Sequence, residues 1–269
     1  MAYPDFSDRT LSQLISLNGR TAVVTGAGAG LGRAIAQRLA EAGATLVVGD
    51  LDEASARETI ESLQTEKGRK HCSAFIDVRD HASITALADK AVSETGRLNI
   101  WVNNAGIYPG GEVLKLTDES WDNVLDINLR GTFFGAREAA LRMESNHGVI
   151  INLSSTAGFN CTDALNPAHY VASKHGVIGL TKSLAVELGR KGIRTVGVAP
   201  TMTETKGVAF MRDISDGVNA ALDTYGRGLP LGRSARPDDI ARVVLFLASD
   251  LAGFVNGAVV PVDGGDLAR

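Results

Sequence analysis

The chain has 269 residues, a length that suits one large α/β domain or two smaller ones. It is 44% hydrophobic and 22% charged, which is ordinary for a globular protein with a sizeable core. The net charge is −4 and no run of Lys or Arg is present, which argues against nucleic acid or a membrane surface as a partner.

The sequence also predicts the compartment. The N-terminus carries Asp5 and Asp8 and lacks the apolar region of a secretory signal. No apolar run approaches the ~18 residues needed to span a bilayer. The cysteines, Cys72 and Cys161, are far apart and form no CxxC pair, which favours a reducing compartment and no structural metal. We therefore expect a cytoplasmic protein without a metal.

Short β-branched runs alternate with helical patterns. Strands are expected where the apolar runs are continuous, as in strands covered on both faces: 21–25, 45–50, 73–78, 99–105, 149–155, 194–200 and 258–264. Gly68, Gly96 and Gly192 follow helical segments and suit a left-handed helix stop. This alternation predicts an α/β fold, a doubly wound parallel sheet of about seven strands with helices on both faces.

No linker or change of composition divides the chain. We predict an N-terminal extension at 1–18 and a single dinucleotide-binding catalytic domain at 19–269. Residues 201–230 form a polar stretch between the sixth strand and the last long helix. Because loops of that length in a compact domain are usually functional, we predict a substrate lid there.

The first strand runs directly into TGAGAGLG at 25–32 and then into a helix. Glycine permits positive φ and close backbone approach, and a helix start offers free N–H groups to a pyrophosphate. A plain tight turn is the alternative, but a position between strand and helix favours dinucleotide binding. Asp50 ends the second strand, where a carboxylate can accept hydrogen bonds from the adenosine ribose; the alternative is a helix cap or loop aspartate.

Tyr170 and Lys174 stand four residues apart in AHYVASKHGV. On a helix the two side chains lie on one face, one turn apart. One interpretation is an ordinary amphipathic helix with a solvated lysine. The other is an acid/base tyrosine whose pKa a neighbouring cation lowers. The spacing alone does not decide between them.

Motifs elsewhere in the chain favour the acid/base interpretation of Tyr170. The glycines follow TGxxxGxG spacing, and DV (77–78), NNAG (103–106), IINLSSTAG (150–158), YVASK (170–174) and VDGG (262–265) come after them in order. This series resembles the short-chain dehydrogenase/reductase family over nearly the whole chain from about residue 18. The resemblance implies a single-domain Rossmann-type fold and an NAD-dependent oxidoreductase acting on a secondary alcohol or ketone.

The resemblance implies roles for four catalytic residues. Tyr170 exchanges a proton with the substrate oxygen while hydride passes between substrate and nicotinamide. Lys174 binds the nicotinamide ribose and, with the positive charge of the cofactor, favours the phenolate. The family's S-x-x-G pattern selects Ser155 to hydrogen-bond the substrate oxygen, whereas Ser154 is structural. Asn128 supports a water chain from the lysine to solvent; the alternative is a satisfied core amide.

The same resemblance implies contacts with NAD from residues along the cofactor groove: Gly26, Gly28, Gly30, Leu31, Gly32, Asp50, Asp77, Val78, Asn104, Ala105, Gly106, Tyr170, Lys174, Thr203 and Thr205. One departure is Thr201, which stands where the family usually has glycine. A β-branched residue resists positive φ, so we expect a different local backbone. Thr203 and Thr205 lie where the family contacts the carboxamide and phosphate.

The substrate-binding residues are expected to be Ser155, Phe159, Leu165 and Tyr170, in a pocket also lined by Ile107, Tyr108, Cys161, His169 and part of 201–230. This lining is mostly apolar and has no arginine pair, so we expect a small uncharged alcohol or ketone. His169 is turned ~100° from Tyr170 on a helix, which predicts a substrate-facing or surface position.

Two other classes of function remain open: a non-enzymatic dinucleotide-binding sensor or scaffold on the same fold, and an epimerase. Retention of Ser155, Tyr170 and Lys174 disfavours the first, and the short chain disfavours the second. Helices expected at 119–144 and 169–190 are apolar over more faces than one sheet covers, which predicts a homo-oligomer, a tetramer by resemblance. Asp50 would repel a 2′-phosphate, while Arg33, on the helix facing the pyrophosphate, is expected elsewhere.

Overall fold

The computed structural model describes residues 4–63, 70–143, 147–160, 166–205, 208 and 216–269. These residues form a seven-stranded parallel sheet in the order β3-β2-β1-β4-β5-β6-β7. The strands are β1 (Thr21–Thr25), β2 (Thr45–Asp50), β3 (Cys72–Phe75), β4 (Ile100–Asn103), β5 (Val149–Leu153), β6 (Arg194–Pro200) and β7 (Val259–Val262). The predicted doubly wound α/β fold is confirmed.

Helices connect the strands. In chain order they are α1 (Leu11–Ile15), α2 (Gly30–Glu41), α3 (Glu53–Ser62), α4 (His81–Thr95), α5 (Asp118–Leu125), α6 (Gly131–Met143), α7 (Ala168–Gly189), α8 (Asp216–Gly228) and α9 (Pro237–Ala248). A π-helical turn, Asp126–Arg130, joins α5 to α6. Such turns are rare and often stand at functional sites.

Apolar side chains cover both faces of the sheet, and every residue of β1, β5 and β6 is buried. One core lies under α2 and α9 and the other under α4, α6 and α7. Strand order reverses between β1 and β4, which pair in parallel. In open α/β sheets, ligands bind in the crevice outside the carboxyl ends of the strands at this reversal.

Several predicted boundaries are wrong. The third strand ends at Phe75 rather than 78, because Asp77 begins a turn in which the Asp80 N–H donates to the Asp77 carbonyl (3.0 Å). The fourth, fifth and seventh strands are also shorter than the apolar runs, which continue into the loops at their ends. Gly96 ends α4 with φ of 76° as predicted, whereas α7 already stops at Gly189. Gly68 lies outside the described residues.

The segment before β1 is docked on the domain. Leu17 is fully buried, and its N–H donates to the carbonyl of Ala42 (2.7 Å). Arg9 and Arg20 both pair with Asp250, which follows α9 (2.5 and 2.6 Å). The described part of the N-terminal extension therefore packs against the same body as the sheet. No helix in the described part of the chain is long and apolar enough to cross a bilayer.

Candidate active site

The glycine loop after β1 is shaped by close backbone contacts. Gly26 has φ of +63°, and a Cβ there would lie 2.7 Å from the Ala105 Cα after β4. A Cβ on Gly28 would lie 2.9 Å from the Asp50 carboxylate and 2.8 Å from the Ser55 side chain. Both positions therefore require glycine, one for its conformation and one for its small size.

Asp50 stands at the end of β2 beside this loop. Its Oδ2 accepts from the Gly28 N–H (2.7 Å) and its Oδ1 from the Asp52 N–H (3.0 Å). Each carboxylate oxygen retains a second lone pair that a ribose hydroxyl can use. Arg33 lies closer to the loop than expected, since its guanidinium donates to the Gly28 carbonyl (2.5 Å). That guanidinium also donates to Thr59 and pairs with Glu58, so its Nε and Nη2 donors face the protein.

The start of α2 fits an anionic ligand. Its N-cap, Ala29, offers no side-chain hydrogen bond, and the first turn of this fully described helix carries no acidic residue. The initial N–H groups and the positive end of the helix dipole are thus available to a pyrophosphate. With the glycine loop and the Asp50 carboxylate beside it, this helix start fits a dinucleotide.

The remaining residues of the predicted groove follow β3 and β4. Asp77 accepts from Arg79 (2.6 Å), and these hydrogen bonds hold the pKa of Asp77 below its usual value. Val78 packs against α6, where a Cβ on Gly131 would meet the Val78 carbonyl oxygen at 2.9 Å. Asn104 donates to the carbonyls of Thr25 and Gly26 (both 2.9 Å). The segment after β4 thus fixes the glycine loop directly.

Tyr170 and Lys174 lie one turn apart near the start of α7. The Lys174 Nζ is 5.7 Å from the centre of the Tyr170 ring and donates to the Leu153 carbonyl at the end of β5 (2.9 Å). Ser155, two residues further, lies beside Tyr170, close enough for its hydroxyl to lower the pKa of the phenol. A Cβ on Gly106 would stand 3.7 Å from the lysine Nζ. The structure therefore brings the three predicted groups together beside the predicted cofactor groove.

Burial sets the pKa values of this group. Burial raises the pKa of the Tyr170 phenol, and the Ser155 hydroxyl lowers it. A negative charge on Tyr108 would raise it further. Burial lowers the pKa of Lys174 to about 8. The lowering of the phenol pKa by Lys174 together with the positive charge of the cofactor stays a prediction, because in the protein by itself burial dominates the pKa of Tyr170.

Asn128 lies in the π-helical turn and is 1% exposed. Its Oδ1 accepts from the Ile107 N–H (2.9 Å), and its Nδ2 donates to the Ile107 carbonyl (2.9 Å) and to Ser173 (3.2 Å). The amide is thus satisfied by protein groups, as the alternative interpretation required, and it fixes the chain after Gly106. Ser154 donates to the Lys174 carbonyl (2.9 Å), which ties β5 to α7.

His169 is wrongly predicted. It is fully buried, and its Nε2 lies 3.4 Å from the Ser120 Oγ of α5. Burial also lowers its pKa. A surface or substrate-facing position is excluded because α5 packs over this side of α7, a contact that the α7 sequence does not reveal. His169 joins the two helices instead.

The loop after β6 carries the remaining predicted cofactor residues. Thr203 is 6% exposed, and its hydroxyl donates to the Thr201 carbonyl (2.9 Å). Thr205 lies over the glycine loop, with its Cγ2 3.4 Å from where a Cβ on Gly30 would stand. Among the described residues only His147 has positive φ without being glycine, so Thr201 avoids the left-handed conformation as expected.

Two residues that the sequence did not single out meet Thr201. The Tyr225 hydroxyl of α8 lies 2.7 Å from the Thr201 Oγ1, which also donates to Asp266 Oδ2 (2.9 Å). Tyr225 in turn donates to Asp266. Because these three residues are far apart in the chain, no spacing could have indicated their contact.

The substrate side is described in part. Leu31 is half-buried and packs against the apolar core. Tyr108, in the loop after β4, is 47% exposed, and Phe159, in the loop after β5, is 43% exposed. Leu165 and Cys161 lie outside the described residues, as do 206–207 and 209–215 of the predicted lid. The described remainder of that lid is the loop 201–205, Val208, helix α8 and the two residues after it.

Comparisons with known proteins match this architecture. The family model described as enoyl-(acyl carrier protein) reductase matches residues 26–266. A D-threitol dehydrogenase from Mycolicibacterium smegmatis is 38% identical over 250 residues, 93% of each chain. A 2-dehydro-3-deoxy-D-gluconate 5-dehydrogenase from Escherichia coli is 37% identical over 256 residues, 94% of this chain and 98% of that one.

Solved structures agree. The crystal structure of levodione reductase has a TM-score of 0.88 at 34% identity, covering 94% of this chain and 99% of the other. The ligand-free aldohexose dehydrogenase of Thermoplasma acidophilum has a TM-score of 0.82 at 29% identity, covering 94% of this chain and 96% of the other. From the matched sequence, the shared sheet and the full-length coverage, the chain belongs to the short-chain dehydrogenase/reductase family.

Proposed function

We propose that this protein is an NAD(H)-dependent oxidoreductase that interconverts a secondary alcohol and a ketone. The observation that carries the proposal is the group formed by Ser155, Tyr170 and Lys174 beside the glycine loop. A binding scaffold would not need a lysine held in a buried position where its charge is costly. The same group distinguishes this function from a non-enzymatic sensor.

The residues of the group have complementary tasks. Tyr170 as phenolate takes the hydroxyl proton of the alcohol, and as phenol returns it to the ketone oxygen. Ser155 holds that oxygen against the phenol. A bound nicotinamide dinucleotide supplies the acceptor or donor of hydride. The Lys174 ammonium donates one hydrogen bond to the Leu153 carbonyl. Its two other N–H groups are left for ribose hydroxyls and so orient the cofactor.

NAD is proposed over NADP because of Asp50. Its carboxylate lies beside the glycine loop, where a 2′-phosphate would bring like charges within a few ångströms. Arg33, the nearest cation by sequence, is engaged with Gly28, Thr59 and Glu58. A phosphate would therefore meet repulsion without a free basic partner from this helix.

The substrate is proposed to be small and uncharged, because Tyr108 and Phe159, which were expected to line the pocket, are exposed and carry no charge at neutral pH. The similarity to a D-threitol dehydrogenase supports adding polyols to a panel of secondary alcohols. NADH absorbance with NAD and each alcohol identifies the substrate class. Turnover of charged sugar acids in preference to all of these would contradict the proposal.

Tyr170→Phe tests the mechanism. The change removes the oxygen that transfers the proton and leaves Lys174 and the glycine loop in place. We expect kcat to fall by at least ~10²-fold, with NADH affinity nearly unchanged. Stopped-flow or steady-state turnover and an NADH titration give both values. A kcat near that of the unaltered enzyme would show that another group moves the proton.

We also propose a homo-oligomer, a tetramer by analogy with the family, in the cytoplasm. Exposed apolar side chains occupy the outer faces of α6 and α7, including Leu141 and Val186, which are 60% and 75% exposed. Apolar surface of this kind usually marks an interface. Light scattering tests the proposal, and a monomer at micromolar concentration would refute it.

A further inference from the structure

Thr201 connects three elements that meet at the carboxyl edge of the sheet. Its hydroxyl contacts the Tyr225 hydroxyl on α8 (2.7 Å) and Asp266 Oδ2 (2.9 Å), in the 3-10 turn Asp266–Ala268 after β7. Thr201 itself is 6% exposed. The Thr201 end of these contacts is therefore shielded from water, where hydrogen bonds are harder to replace.

The charge state of this cluster suits a fixed joint. Burial raises the pKa of Tyr225 to about 12, so it is a donor at neutral pH. Hydrogen bonds from Tyr225 and Thr201 and the neighbouring Arg269 hold the pKa of Asp266 below its usual value. Two hydroxyl protons thus face one carboxylate, and hydrogen bonds to a charged acceptor are stronger than neutral ones.

The chain leads from this cluster to the cofactor groove within five residues. Thr203 donates to the Thr201 carbonyl, and the Glu204 N–H donates to the Ala235 carbonyl (2.8 Å). Thr205 then stands over Gly30 of the glycine loop. A displacement of Thr201 would therefore move both threonines that the family resemblance associates with the cofactor.

We propose that Thr201 is a positioning residue for the nicotinamide end of the dinucleotide, with Tyr225 and Asp266 as its anchors. The family's usual glycine has no hydroxyl and cannot make these contacts. In this chain, the hydroxyl fixes the start of segment 201–205 and so holds Thr203 toward the carboxamide. The inference rests on the proposed function, because it requires that a nicotinamide dinucleotide binds.

Two ligands separate positioning from general stability. ADP-ribose shares the adenosine, pyrophosphate and second ribose of NADH but lacks the nicotinamide. For Thr201→Val, we expect the Kd of NADH to rise by about five- to tenfold. The Kd of ADP-ribose should stay within about twofold. Isothermal titration calorimetry measures both, and Thr201→Ser should restore the NADH value because it restores the hydroxyl.

Thr224→Val is the matched control. Thr224 is exposed on α8, and its hydroxyl bonds to the Ala220 carbonyl of its own helix (2.8 Å). We expect both dissociation constants to be unchanged. Tyr225→Phe is the second test variant should Thr201→Val not fold, and it should weaken NADH alone by about two- to fivefold.

Each outcome has one meaning. An equal loss of affinity for both ligands, accompanied by a lower Tm, would make Thr201 merely structural and overturn the inference. Unchanged NADH affinity in Thr201→Val would overturn it as well. If the unaltered protein binds neither ligand, the proposed function fails first and the inference with it.

Discussion

The two walls of the predicted cofactor groove are built differently. On the glycine-loop side, the contacts involve the backbone: Gly26 packs closely against Ala105, and the Asn104 amide donates to the Thr25 carbonyl. On the opposite side, the loop 201–205 is held by side chains from α8 and from the C-terminal turn. The close backbone contacts of the first wall leave no room for a side chain at Gly26, whereas the contacts of the second wall can be varied by exchanging a few side chains.

This difference suggests where specificity can change without loss of the fold. A wall made of close backbone contacts fixes the shape common to the binding of any dinucleotide. A wall made of side-chain contacts can shift the nicotinamide end and the adjoining substrate side. The following variants test that division, in order of decreasing expected effect.

The largest effect is expected at the edge of the glycine-loop wall. Asp50→Ala with Leu51→Arg removes the carboxylate and adds a cation at a residue that is 60% exposed. We expect the ratio of kcat/KM for NAD over NADP to fall by a hundredfold or more, on the order of the repulsion removed. Kinetics with both cofactors measure it, and Leu51→Arg alone is the control. A ratio near or below one in the unaltered enzyme would show that Asp50 does not face the ribose.

Gly26→Ala probes the interior of the same wall. The new Cβ would lie 2.7 Å from the Ala105 Cα at a position with φ of +63°. Strain and overpacking together should lower the free energy of unfolding by about 2 to 4 kcal/mol, with weaker NADH binding. Urea unfolding measures the loss. Gly110→Ala, where a Cβ meets nothing within 4 Å, should be nearly neutral. Equal behaviour of the two variants would contradict the rigid-wall interpretation.

Lys174→Met tests what the buried lysine charge costs the folded protein. Burial lowers the lysine pKa from 10.5 to about 8, so the folded state carries a desolvation cost in full below pH 8. That cost shrinks between pH 8 and 10.5, where the folded state releases the proton before the unfolded state does. Lys174→Met removes this desolvation cost but also loses the hydrogen bond to Leu153, which offsets part of the gain. We therefore expect the free energy of unfolding of the ligand-free protein to rise by about 1 to 3 kcal/mol at pH 7.

Denaturant unfolding at pH 7 and at pH 10 measures that gain and its decline. Lys182→Met, at an exposed position of the same helix, is the control and should change little at either pH. Turnover should be lost in Lys174→Met alone. A variant that is less stable than the unaltered protein at pH 7 would show that the ammonium contributes net stability.

The smallest effect is expected at the rim of the second wall. Arg269 pairs with Asp266 (2.9 Å) but is 44% exposed, and surface ion pairs contribute little. Arg269→Ala should cost less than ~1 kcal/mol and leave NADH affinity within about twofold. Thermal unfolding and calorimetry test this. A tenfold loss of NADH affinity would mean that the ion pair, not the Thr201 hydroxyl, holds the loop.

The sequence by itself determined the sheet, the glycine loop, and the pairing of Tyr170 with Lys174. Each depends on residues close in the chain: an apolar run forms a covered strand, and a four-residue spacing on α7 aligns two side chains. Ser155 was selected by a motif, and the structure brings it beside Tyr170. Local sequence spacing is enough to predict a site wherever a single helix or strand carries the residues concerned.

Tertiary structure decided the rest. His169 is buried because α5 packs on α7, and burial rather than the neighbouring lysine dominates the pKa of Tyr170. Thr201 meets Tyr225 and Asp266 across separations of 24 and 65 residues, which only the folding of β6, α8 and the C-terminal turn to one sheet edge brings together. Desolvation and long-range contacts depend on which surfaces meet, and no local spacing encodes that.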